Sequence, residues 1–93
     1  MPPLADAEIT AALETLPGWS RAGDEIVKTF AFESFAAAIA FVVRVGFLAE
    51  RADHHPDIDV RWRNVRIALS THSEHGLTNR DLDLAAEIEH LGG

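Results

Sequence analysis

The stretch Val60-Arg61-Trp62-Arg63-Asn64-Val65-Arg66-Ile67-Ala68-Leu69-Ser70-Thr71-His72 alternates apolar and polar side chains with a period of two. Val60 and Trp62 alternate before Arg63-Asn64, and Val65, Ile67 and Leu69 alternate with Arg66, Ala68 and Ser70 after it. A period of two marks strands with one buried face, so this stretch predicts an antiparallel hairpin with its break at Arg63-Asn64. Just before it, His54-His55-Pro56 separates the hairpin from a long apolar run, Phe35 to about Ala52, for which Ser34 is a natural N-cap. Phe35, Ile39, Val42, Gly46 and Ala49 line one face of that helix, while Phe41, Val45 and Leu48 lie elsewhere around it. A helix apolar over more than one face packs on a sheet with one side and on something else, such as a second subunit, with the other.

Further towards the N-terminus, Trp19–Ala22 and Glu25–Phe32 flank Gly23-Asp24, and Ile26, Lys28, Phe30 and Phe32 alternate with Val27, Thr29 and Ala31, which predicts a first hairpin. Ile9, Leu13 and Leu16 fall at helical spacing in Asp6–Leu16, with Asp6 as the cap and Pro17-Gly18 as the stop. At the other end, Thr78 followed by Asp81 resembles a capping box, and Leu82, Ala85, Ile88 and Leu91 continue a last helix that Gly92-Gly93 closes. The order is α-β-β-α-β-β-α, with ββα occurring twice but no matching sequence repeat. The expected fold is α+β: one domain, residues 1–93, with a four-stranded antiparallel sheet and three helices packed on one face.

Composition narrows the function. The 93 residues are 47% apolar with a net charge of -7, and the eight Lys and Arg residues are scattered, so no basic stripe exists for nucleic acid. There is no cysteine, which excludes a disulfide framework and a thiolate nucleophile or metal ligand and fits a reducing cytoplasm. Met1–Asp6 lacks a secretory pattern. The run Phe35–Ala49 is shorter than the roughly 20 residues a bilayer requires and contains Arg44, so no membrane partner is expected. A domain of this size gains stability from a subunit interface, so a homodimer or homotetramer is expected.

Four of the five histidines lie between positions 54 and 75, in two groups that the second hairpin can bring together. Imidazole titrates at about 6.5, so two rings can divide acid and base roles near neutrality. His54 and His55, being adjacent, point in different directions and do different jobs. A metal site of His54, His72 and Asp81 is the weaker reading, lacking thiolates and HExxH spacing. Asp53-His54-His55 as a two-metal phosphoesterase motif requires further aspartate motifs that are missing.

The pattern Glu50-Arg51-Ala52-Asp53-His54-His55-Pro56, then Trp62, Ser70-Thr71-His72, Gly76-Leu77 and Arg80-Asp81 resembles the pterin-4a-carbinolamine dehydratase family, most densely over residues 50–89. One departure is Ile58, where members often carry an aromatic residue. The resemblance implies elimination of water from a 4a-hydroxytetrahydropterin, giving quinonoid dihydropterin in tetrahydrobiopterin recycling, with no metal and no cofactor. It implies His54, His72 and Glu50 as catalytic residues, and His55, Pro56, Thr71, Trp62 and Asp81 as substrate-binding ones. Glu50, four residues before His54, shares its helix face if the helix continues that far. Asp81 suits capping and active-site support equally, and Trp62 suits sheet-face packing or a pocket wall. His75 and His90 fall outside the pattern and read as surface residues. A non-catalytic oligomerisation or transcriptional-cofactor module of the same fold is the alternative.

Overall fold

The computed structural model describes residues 2–91. The elements are α1 (Asp6–Leu13), β1 (Ser20–Ala22), β2 (Glu25–Ala31), α2 (Phe35–Ala52), β3 (Asp57–Arg61), β4 (Asn64–Leu69), a single 3-10 turn at His72–Glu74, and α3 (Asn79–His90). The expected element order and α+β class hold. All three strand pairings are antiparallel, in the order β1-β2-β4-β3, which leaves β1 and β3 as edges.

Local chemistry explains most boundaries. Gly23, at φ 64°, opens the two-residue turn that pairs Ala22 with Glu25, a conformation that costs glycine little. Ser34 Oγ accepts the Ala37 N–H at 3.0 Å and starts α2 where expected. Ile26 and Phe30 of β2 and Val65, Ile67 and Leu69 of β4 are buried, in one core with Ile9, Phe41, Val45, Leu84 and Ile88 of the helices. Each such side chain contributes about 1.5–3 kcal/mol of burial free energy. The rings of Phe30 and Phe41 meet at 4.8 Å and join sheet to helix. On the opposite, uncovered face, Thr29, Arg66 and Asp59 form a row across three strands.

Three local expectations need correction. The first helix is capped at Ala5, whose N–H is held by Glu8 at 2.9 Å, so Asp6 is already helical. It ends at Leu13, because Glu14, Thr15 and Leu16 bond back only three residues as the chain tightens before Pro17. The second hairpin breaks at Trp62-Arg63, one residue earlier than the pattern suggested, with Arg61 paired to Asn64. This register puts Val60 opposite Val65 and keeps both on the helix side, which a slip of one residue would reverse. Trp62 therefore packs on neither sheet face. It lies in the turn at φ 53°, 69% exposed, with the Arg63 guanidinium 4.7 Å above its ring.

The third correction concerns α2. Its core face is Ala38, Phe41, Val45 and Ala49, so Phe41 and Val45 are buried and only Leu48 of the expected outer set reaches partial exposure. Phe35, Ile39, Val43 and Phe47, four residues apart, form the exposed apolar stripe instead, Phe47 being 72% exposed. The expected closure of the last helix by Gly92-Gly93 lies outside the described residues. Among the described residues no helix is long and apolar enough to cross a membrane.

Candidate active site

The site forms where α2 stops. Asp53 takes a left-handed conformation, φ 50°, and His54 N–H bonds back to the Ala49 carbonyl at 3.1 Å, so the chain reverses sharply at the helix end. The reversal sends the two following side chains opposite ways. His54 is buried at 7% exposure, whereas His55 stays exposed.

His54 Nε2 lies 2.6 Å from Oδ1 of Asp81, a carboxylate with no solvent exposure. The other oxygen, Oδ2, accepts from Thr71 Oγ1 at 2.7 Å and from the Thr78 backbone N–H at 2.9 Å. Thr71 and Thr78 hydroxyls are 2.8 Å apart, and since Thr71 gives its only hydrogen to Asp81, Thr78 donates to Thr71. Asp81 thus caps α3 and holds His54 at once. One carboxylate serves both contacts because its two oxygens face different elements.

This bonding assigns the His54 tautomer: Nε2 carries the hydrogen donated to Asp81. No fully buried side-chain nitrogen or oxygen among the described residues lacks a partner, so His54 Nδ1 is not a sealed, unsatisfied atom. His54 lines a cleft of about 230 Å³ together with Asp53, His55, Ser70, Thr71, His72, Ser73 and Arg80. His72 is exposed and reaches the cleft from the 3-10 turn after β4, so the hairpin does return it to His54.

The remaining expected site residues are distributed as follows. Glu50 meets His55, Oε2 to Nε2 at 2.9 Å, and not His54, because α2 ends at Ala52 and the left-handed Asp53 rotates the next residues off the helix face. Thr71 borders the cleft, but its hydroxyl is spent on Asp81. Asp81 bonds to His54 and does not itself line the cleft. Pro56, half-buried, leads into β3 without lining it. Trp62 lies at the far end of β3, five residues or roughly 16 Å of strand away. His75 and His90 are exposed outside the cleft, as read. Arg80, Asp53, Ser70 and Ser73 line it without having been assigned a site role, although all but Ser73 stand in the quoted pattern.

A larger hollow of about 310 Å³, bounded by Thr29, Asp59, Arg61, Asn64 and Arg66, occupies the uncovered sheet face. Size alone would favour it. Chemistry favours the smaller cleft, which holds the histidines and the buried carboxylate behind them.

The family profile described as pterin 4 alpha carbinolamine dehydratase matches residues 2–91, nearly the whole chain. The chain belongs to the pterin-4-alpha-carbinolamine dehydratase family. It is 60% identical over 88 residues, 95% of both chains, to an inferred pterin-4-alpha-carbinolamine dehydratase of Roseiflexus castenholzii. An inferred family member from Chloroflexus aurantiacus is 54% identical over the full length of both. A crystal structure of a transcriptional coactivator/pterin dehydratase from Brucella melitensis superposes with a TM-score of 0.94 at 32% identity, covering 98% of this chain and 99% of that one. A pterin dehydratase-like protein identified as a RuBisCO assembly factor in the alpha-carboxysome is more distant, with a TM-score of 0.67, 28% identity and 81% and 87% coverage. Membership in the pterin-4-alpha-carbinolamine dehydratase family makes the histidine cleft the candidate active site.

Proposed function

We propose that the protein eliminates water from a 4a-hydroxytetrahydropterin, giving quinonoid dihydropterin for tetrahydropterin recycling in the cytoplasm. The observation that carries this reading is the buried Asp81–His54 pair, whose histidine lines one cleft with His72 and His55. In the reaction the C4a–O bond breaks, the N5 lone pair forms the C4a=N5 bond, and the N5 hydrogen leaves as a proton. His54, presenting a bare Nδ1 when neutral, accepts that proton, while Asp81 compensates the charge the ring gains. His72 delivers a proton to the departing hydroxyl. His55, steadied by Glu50, holds the pterin. A coupled assay of purified protein with enzymatically generated 4a-hydroxytetrahydropterin tests the reading. Dehydration no faster than the spontaneous reaction would leave a non-catalytic role of the kind its assembly-factor relative is named for.

No cofactor or metal is needed in this scheme, since nitrogen supplies the electron push. Both Asp81 oxygens are already engaged, and among the described residues no three His, Cys, Asp or Glu side chains converge as a metal site. Activity should therefore survive EDTA unchanged, and elemental analysis of active protein should find no stoichiometric metal. Chelator-sensitive turnover would revive the metal reading.

The exposed stripe Phe35, Ile39, Val43 and Phe47 supports assembly into a homodimer or homotetramer, because contiguous apolar surface of this kind is uncommon on monomers. Sedimentation at micromolar concentration should give at least twice the 10.2 kDa chain mass. Phe47→Asp should lower that mass without loss of fold, since it replaces an exposed side chain. A wild-type monomer would overturn the expectation.

A further inference from the structure

We propose that Arg80 is a ligand-binding residue that donates hydrogen bonds to the 4-oxo group of the bound pterin and so makes the site selective for 4-oxo over 4-amino pteridines. This rests on the pterin reading above and goes beyond it by naming the group that reads one position of the ring. Arg80 stands in the first turn of α3 and lines the cleft with His54, His55 and His72. Its Nη2 donates to the carbonyl of Asp53, the residue immediately before the two histidines. A guanidinium has five N–H donors in one plane, so this single bond tethers the group beside the histidines and leaves donors unspent. No carboxylate pairs with Arg80 among the described residues, although the chain carries 15 acidic residues against eight Lys and Arg. A cation held by a neutral carbonyl in so acidic a protein keeps its donors available for a ligand.

Of the other side chains lining the cleft, Ser70 and Ser73 offer neutral hydroxyls, whereas two further donors are committed. The Thr71 hydroxyl serves Asp81, and His55 Nε2 faces Glu50. A pterin ring carries one oxo group, at C4, bonded directly to the reacting carbon C4a. A ring that places C4a and N5 between His54 and His72 must carry its 4-oxo group within the same cleft, where the guanidinium is the strongest donor. The charge is poorly suited to assisting the chemical step, because the pterin becomes more positive as the hydroxyl departs. Its contribution therefore falls on binding, and substitution should act on KM more than on kcat.

The experiment is a fluorescence titration of wild type, Arg80→Lys and Arg80→Gln with two unreactive probes, oxidised pterin (4-oxo) and 2,4-diaminopteridine (4-amino). Wild type should prefer the 4-oxo probe by about tenfold, as one charge-assisted hydrogen bond allows. Arg80→Gln should bring the two affinities within about twofold, with Arg80→Lys between them, while raising KM with little change in kcat. Equal weakening of both probes by Arg80→Gln, or a preference left intact, would overturn the inference by reducing Arg80 to a brace for Asp53. Wild type binding neither probe would overturn the pterin reading itself, and this inference with it.

Discussion

His72→Ala should lower dehydratase turnover by about 10²–10⁴-fold while leaving the unfolding midpoint unchanged, the range expected when one proton-transfer group is lost. The side chain is exposed at the cleft and makes no bond that the fold needs. His54→Ala should reduce turnover as severely but not as cleanly. It removes a partner from the fully buried Asp81 carboxylate, and an unsatisfied buried polar group costs about 1–3 kcal/mol or more when charged. The pair of variants thus separates chemistry from architecture: similar kinetic losses, with a stability loss confined to His54→Ala. His55→Ala should act mainly on KM. Turnover within a few-fold of wild type in either His54→Ala or His72→Ala would remove that residue from the acid–base pair.

Asp81→Ala should destabilise the protein by about 3–5 kcal/mol, the usual cost of breaking a buried charged network from one side. Three donors lose their acceptor together: His54 Nε2, the Thr71 hydroxyl and the Thr78 N–H. Against a domain stability of about 5–15 kcal/mol, such a loss leaves little margin. Asp81→Asn keeps the shape and one acceptor oxygen, so it should cost less stability. It presents an NH₂ group to one of the former donors and should cut turnover by misdirecting the His54 ring. Urea unfolding of both variants beside steady-state kinetics provides the check, and an Asp81→Ala loss below about 1 kcal/mol would show that water replaces the carboxylate.

The fold was legible because its signals are local and redundant. Alternation at Ile26 and Phe30, the Ser34 cap and the Gly23 turn each point to one conformation. The hairpin tip was misplaced by one residue because Trp62 has strong strand propensity and no glycine or asparagine marks the first turn position. The outer face of α2 was hidden because apolar residues surround the helix. Only packing on the sheet distinguishes Phe41, which is buried, from Phe47, which is not. In the site, the clustering of His54, His55 and His72 was readable from their spacing. The exchange of carboxylate partners was not: it follows from the left-handed turn at Asp53, which separates Glu50 from His54 and leaves that histidine to Asp81.

Arg80 grips the carbonyl of Asp53, and Asp81 grips the ring of His54, so two consecutive residues of the last helix hold two consecutive residues at the end of α2. Each tie spans 27 positions. During synthesis His54 is therefore made long before its carboxylate exists, and the growing chain carries the cleft's histidines without the groups that orient them. The last helix is then a lock that closes late: these two ties form only when α3 docks, and a chain lacking α3 would carry the histidine motif without the carboxylate that holds it.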